Sequence, residues 1–229
     1  MRLLATVLGG VMVAGAVAWY LGWRPPAAWN PWAALDVRQP PNLLTAYKLS
    51  RLRDDPDLCR QALQTSALRY REQADSPETA RCPLRNVWRI DAGEARLSSS
   101  FLASCPLAVA YALFETHGLQ PAAQRVFGQS VAQVDHLGSF ACRNVYHREQ
   151  GRLSQHATAN ALDISGFRLK DGQRIVLARD WQAGGAKAQF LREARDAACE
   201  SFSTVLGPDY NAAHANHFHL DAGRWQVCR

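Results

Sequence analysis

The chain has 229 residues, 48% of them hydrophobic and 20% charged, with a formal net charge of +6. That length suits one sizeable domain plus accessories, and the apolar fraction is normal for a globular protein. The positive excess favours polyanionic surroundings, but Arg51, Arg53, Arg60, Arg69 and Arg71 are interspersed with Asp54, Asp55, Asp57 and Glu72. With no continuous basic run, nucleic acid is not expected as a partner.

The first element is apolar. Leu3 to Trp23 carries no charge and lies between Arg2 and Arg24, and about 20 helical residues span a hydrocarbon core. Trp19, Tyr20 and Trp23 cluster at its far end, where aromatic residues sit at headgroup level. Ala16-Val17-Ala18 resembles a cleavage site, but the apolar run continues to Leu21 and outlasts the core of an ordinary signal peptide. Residues 1–23 are therefore expected to be an uncleaved transmembrane anchor rather than a cleaved signal. Residues 24–42 contain Pro25, Pro26, Pro31, Pro40 and Pro41 and read as a stiff linker. The alternative is an ordered arm, because Trp29, Trp32 and Leu35 need burial somewhere.

The body is expected over residues 43–229. Leu43 to Ala74 has a helical pattern broken at Asp55-Pro56, with Asp57 a candidate cap for the second helix. Val87 to Ile90 reads as a strand. Ser104-Cys105-Pro106 opens a helix with a stripe of Leu107, Tyr111 and Phe114, and Gly118 is a candidate stop. Pro121 to Phe127 adds a turn or two. Val131 to Val134 and Phe140 to Arg143 flank His136-Leu137-Gly138 as a hairpin. Ala161 to Ser165 reads as a buried strand. Phe167 to Leu169 and Arg174 to Leu177 form a second hairpin around Asp171-Gly172. Ala186 to Leu206 is an amphipathic helix, and His217 to Asp221 alternates as a last strand. The expected class is α+β, a small antiparallel sheet with helices packed to one side.

Six cysteines are dispersed and none forms a C-x-x-C pair, which argues against a zinc ribbon. In an exported chain they read as up to three disulfides. Closing the smaller loops gives Cys59–Cys82, Cys105–Cys142 and Cys199–Cys228.

Four of the seven histidines fall in two patches. Ser154 to Asp163 reads S-x-H-x6-D, and His214 to His219 reads H-x-x-H-x-H. His217 and His219 alternate along a strand and share a face. If the two strands are neighbours, His156, Asp163 and His219 converge on one ion. Two imidazoles and a carboxylate with an open position make a hydrolytic zinc site. His217 is then placed to move a proton, His214 to assist it, and Arg143 to bind a substrate carboxylate or the scissile oxygen. His117, His136 and His147 read as ordinary surface or packing residues.

These motifs resemble the LAS zinc peptidases, a group that takes in lysostaphin-type endopeptidases, D-alanyl-D-alanine carboxypeptidases and the hedgehog signalling domain. Leu153 to Ala157, Ile164, Gly166-Phe167, Asp171-Gly172, Val205 to Asn211 and His214 to Asp221 resemble bacterial extensin-like carboxy-terminal domains more closely, over roughly Leu43 to Arg229. The resemblance implies a hedgehog/D-Ala-D-Ala peptidase-like fold, zinc on His156, Asp163 and His219, and catalysis by His217 with His214. Ala159 stands where LAS enzymes commonly carry glycine, and Asn216 where extensin-like proteins frequently carry an acid.

The implied function is a membrane-anchored zinc hydrolase of peptidoglycan peptide amide bonds, either endopeptidase or carboxypeptidase. The alternative is a non-catalytic, zinc-containing wall-binding or structural envelope module. Expected partners are peptidoglycan or cell-wall peptide and, through the first helix, a membrane. The protein is expected to be monomeric, in the cytoplasmic membrane, with its body in the periplasm or outside the cell.

Overall fold

The computed structural model describes residues 2–77 and 81–229, the side chains of residues 2–8 and 11 excepted. Helix α1 (Arg2–Tyr20) leads the chain. Among the described residues no helix is long and apolar enough to cross a membrane. The anchor expected over residues 1–23 falls in part on side chains outside that set.

The proline-rich stretch lies along the body rather than standing clear of it. Lys48 in helix α2 (Thr45–Arg51) donates from Nζ to the Ala27 carbonyl at 2.6 Å, and Arg51 donates to that of Pro31 at 2.8 Å. Leu35 and Val37 are buried in the core, and Val37 N–H donates to Thr65 Oγ1 at 2.8 Å. The need to bury Leu35 is met here, whereas Trp29 and Trp32 stay exposed.

Helix α3 (Pro56–Gln64) is capped by Asp55, whose side chain accepts from Leu58 N–H at 2.9 Å. Asp57, the expected cap, lies in the first turn instead, and Pro56 takes the position where its missing N–H costs nothing. The helical pattern does not run to Ala74. Arg69–Gln73 is strand β1, an edge strand of polar residues that carries no apolar period to read. It pairs antiparallel with β2 (Val87–Ala92). Strand β3 (Arg96–Leu97) follows, and β4 (Phe101–Ser104) closes the three-stranded sheet on the other side of β2.

Ser104 caps helix α4 (Cys105–Leu113), as expected, and all nine residues of that helix are buried. The helical path does not stop at Gly118. A π-helical turn, Phe114–Leu119, carries it into α5 (Gln120–Phe127), which ends at Gly128 with φ of 66°. A Cβ on Gly118 would come within 2.8 Å of Ala197 Cβ, so glycine permits a close helix crossing here. In the π turn, Glu115 is buried and accepts from the Glu94 and Ala95 amides and from the Tyr111 hydroxyl, at 2.8, 3.1 and 3.2 Å.

The second sheet carries the patches of interest. Strand β5 (Val131–Gly138) is one continuous strand, and residues 140–143 are not its hairpin partner. It pairs antiparallel with β6 (Ala161–Leu169), the centre of the sheet. The Asp171-Gly172 turn forms as expected, with Gly172 at φ of 87°, and leads to β7 (Arg174–Val176). After the short helix α6 (Leu177–Asp180), α7 (Gly185–Ala198) ends eight residues before the expected limit at Leu206. Thr204–Leu206 is β8, followed by β9 (Phe218–Asp221) and β10 (Val227–Cys228).

The seven strands run in the order β10-β8-β9-β6-β5-β3, with β7 also on β6. The α+β class holds, but the single small antiparallel sheet is replaced by two sheets. The larger is mixed, because β3 runs parallel to β5 and β10 parallel to β8.

The disulfides are Cys59–Cys105, Cys82–Cys142 and Cys199–Cys228. The third matches expectation and the other two do not. Cys59 in α3 and Cys105 at the start of α4 have Cα atoms 5.9 Å apart because these helices pack together, so tertiary contact overrides loop length. Three disulfides suggest a location outside the cytoplasm.

Candidate metal centre

Asp163 on β6 lies directly opposite His219 on β9. Opposed residues of an antiparallel pair project to the same face, so the two side chains meet. His156 arrives from a 3₁₀ turn, Gln155–Thr158, immediately before β6, and Ser154 caps that turn. The turn ends at Ala159, fully buried with φ of 52°. A left-handed position suits glycine; alanine takes it at a cost of about 1 kcal/mol, and the chain still enters β6.

His219 Nδ1 lies 2.9 Å from Asp163 Oδ1, and His156 Nε2 lies 3.2 Å from Asp163 Oδ2. The two ring nitrogens are 3.2 Å apart. Donor atoms tetrahedrally arranged around an ion at zinc–nitrogen bond lengths are about 3.3 Å apart. The expected trio therefore converges, with one donor atom from each residue within 4.8 Å of the others.

The far side of each ring supports the same conclusion. His156 Nδ1 lies 2.9 Å from the Ser139 carbonyl, which can only accept, so Nδ1 carries hydrogen and the neutral ring is bare at Nε2. His219 Nε2 lies 3.4 Å from Asp221 Oδ2, which favours hydrogen there and leaves Nδ1 as the ligand atom. Two bare nitrogens beside a carboxylate need a positive charge among them. Without an ion, that charge is a proton. Burial disfavours charge on His219, but hydrogen bonds to Asp163 and Asp221 raise its pKa to about 9. Burial likewise acts to raise Asp163, yet hydrogen bonds to His156 and His219 hold it well below the usual carboxylate range. The residues fit a metal ion, which can replace the proton.

His217 Nε2 is 3.7 Å from Asp163 Oδ1, and its Nδ1 donates to Asn216 Oδ1 at 2.8 Å. His214 Nδ1 donates to Asn211 Oδ1 at 2.8 Å, and its ring centroid lies 5.3 Å from that of His217. Burial lowers both pKa values, that of His214 to about 4. These rings and the trio of His156, Asp163 and His219 line one cavity of about 810 Å³, which Arg143 also reaches.

The family model for the extensin-like protein C-terminus matches residues 57–229. The chain belongs to that family. No significant match exists among curated proteins or solved structures. The candidate metal-binding trio, both further histidines and all three disulfides lie within the extensin-like domain.

Several residues around the trio were given no role from sequence. Asp221 is two positions beyond His219 on the same strand face, and the period of two could have found it. Asn211 and Asn216 orient His214 and His217, and the chain gives no pattern for that beyond proximity. His147, read as ordinary, lines the cavity. His117 and His136 are packing residues, the first bonded to the Val37 carbonyl and the second set edge-on to Phe101.

Proposed function

We propose that this extensin-like protein is a membrane-anchored, zinc-dependent hydrolase of peptidoglycan peptide amide bonds, an endopeptidase or carboxypeptidase with the chemistry of the LAS peptidases. One observation carries the reading. The bare nitrogens of His156 and His219 meet the Asp163 carboxylate on the wall of a large cavity. Two neutral imidazoles and one carboxylate suit zinc, with room for a further ligand.

A zinc ion held there would polarise a carbonyl and make water more acidic. The chain's own groups supply the rest. His217 is kept neutral by burial, with Nε2 free to take a proton because Nδ1 donates to Asn216. The protonated His217 then returns that proton to the leaving amine, while His214, neutral for the same reason and turned by Asn211, orients the water through its bare Nε2. Arg143 on the cavity wall binds a substrate carboxylate. Residues 1–23 form the anchor, and the disulfide-bearing body lies outside the cytoplasm.

The test is release of new amines from isolated muropeptides by the zinc-loaded full chain. A chelator should abolish it. His217→Ala should keep zinc and lose at least about 100-fold in rate. If fully loaded wild-type protein leaves muropeptides intact, the domain is a zinc-containing binding or structural module instead.

A further inference from the structure

The cavity carries more than the metal site needs. Tyr146, Tyr210 and Trp225 line it and are 53%, 43% and 70% exposed. None of the three is spent on the core. The rings of Tyr146 and Tyr210 and the backbone of Trp225 are nonetheless held in place. Tyr146 and His147 are both in the left-handed region, at φ of 54° and 56°, and the Tyr146 hydroxyl accepts from Asn211 Nδ2 at 3.3 Å. The Tyr210 ring sits edge-on to His214 with centroids 5.4 Å apart. The Trp225 carbonyl accepts from Thr204 Oγ1 at 3.1 Å, and the chain then enters β10, tied down by Cys199–Cys228.

Charge narrows the occupant. Arg143, Arg152 and Arg224 share the lining, and the acids in it are Asp163 and Asp221, both engaged with histidines. The open charge is positive, so a cationic ligand is disfavoured and a carboxylate is welcome. Exposed aromatic faces on a cleft with both apolar and polar walls suit a ring with an apolar face and polar edges. A pyranose is such a ring: its C–H face stacks on the π face while its hydroxyls remain hydrated. A free peptide would use the arginines and leave the aromatic faces idle. The volume, about 810 Å³, is in the upper part of the range of roughly 300–1,000 Å³ for ligand sites, room for a peptide and a sugar.

We propose that this cleft recognises its peptide together with the sugar to which the peptide is attached, stacking the saccharide on Trp225 and Tyr146 and holding peptide carboxylates at the arginines. The peptide half rests on the hydrolase reading; the sugar half does not.

The test is calorimetric binding of two probes to the full chain in the His217→Ala background, so that neither probe is consumed. One probe is a disaccharide-linked stem peptide, the other the same peptide without sugar. The linked probe should bind about tenfold tighter. Trp225→Ala with Tyr146→Ala should erase that preference, leave free-peptide affinity unchanged and leave the melting temperature unchanged, since both rings are exposed. Trp225→Tyr should retain most of the preference. Equal affinities, a preference that survives the double substitution, or no binding of either probe would overturn the inference. A sugar preference in a protein whose wild type releases no amines would sink the hydrolase reading and leave this one standing.

Discussion

Asp163 and Glu115 are both largely buried carboxylates, yet their surroundings drive them in opposite directions. Burial acts to raise both. At Asp163, hydrogen bonds to two histidines reverse it and keep the group ionised. At Glu115, two amides and a tyrosine hydroxyl are too weak to do so, and the pKa rises to about 7. The difference is the charge of the neighbours, since neutral donors offset desolvation only in part. A perturbed carboxyl is therefore not a functional site by itself. Glu115 ties the turn after β2 to the π turn: among the described residues it belongs to no metal-binding cluster, and it is packed so closely that a Cβ on Gly93 would come within 2.1 Å of its oxygen.

The comparison is most easily broken at Asp163. Asp163→Ala removes the carboxylate between His156 and His219, and zinc affinity should fall by more than about 100-fold, since even supporting residues are worth 10–100-fold. Competition with a chromophoric chelator measures this, and tight stoichiometric zinc in the variant would show that Asp163 is no ligand.

Glu115 gives the next largest effect, in stability rather than binding. Its folded pKa of about 7 exceeds the ordinary glutamate value of 4.5, so the folded state holds the proton more tightly. Its contribution is full below about pH 4.5, declines as pH rises, and is gone above about pH 7, on the order of 3 kcal/mol in all. Urea unfolding between those pH values should show the decline in wild type and a flatter profile in Glu115→Gln. An unchanged slope would mean that Glu115 ionises as freely as an exposed acid.

The smallest effect sharpens the contrast. Asp221→Asn keeps an oxygen for the Gly223 amide but removes the charge behind His219, and should weaken zinc about tenfold. No change would reduce Asp221 to a turn residue.

The convergence of His156, Asp163 and His219 was legible because metal-site chemistry asks for such residue types at short spacing on strands of known period. Strand β1 was not, because an exposed polar edge strand has no apolar alternation to read. Residues 140–143 look like a strand, yet Cys142 is drawn to Cys82 and the segment leaves the sheet. Cys59 finds Cys105 through the packing of two helices, a contact invisible to any rule of loop length. The tautomer-setting partners, Ser139 and Asp221, act through a backbone carbonyl and one modest acid, neither distinctive in a sequence.

The pairing of Asp163 with His219 across β6 and β9 has a consequence for how such proteins diversify. Sliding either strand by one residue would turn one of the pair to the opposite face, so the cradle is tied to the hydrogen-bond ladder that builds it. The walls made by residues 144–153 and 207–213, which carry neither the trio nor His214 and His217, are held by no such register. Descendants of this chain can change what they grasp by rewriting those two loops, while the cradle is inherited with the sheet.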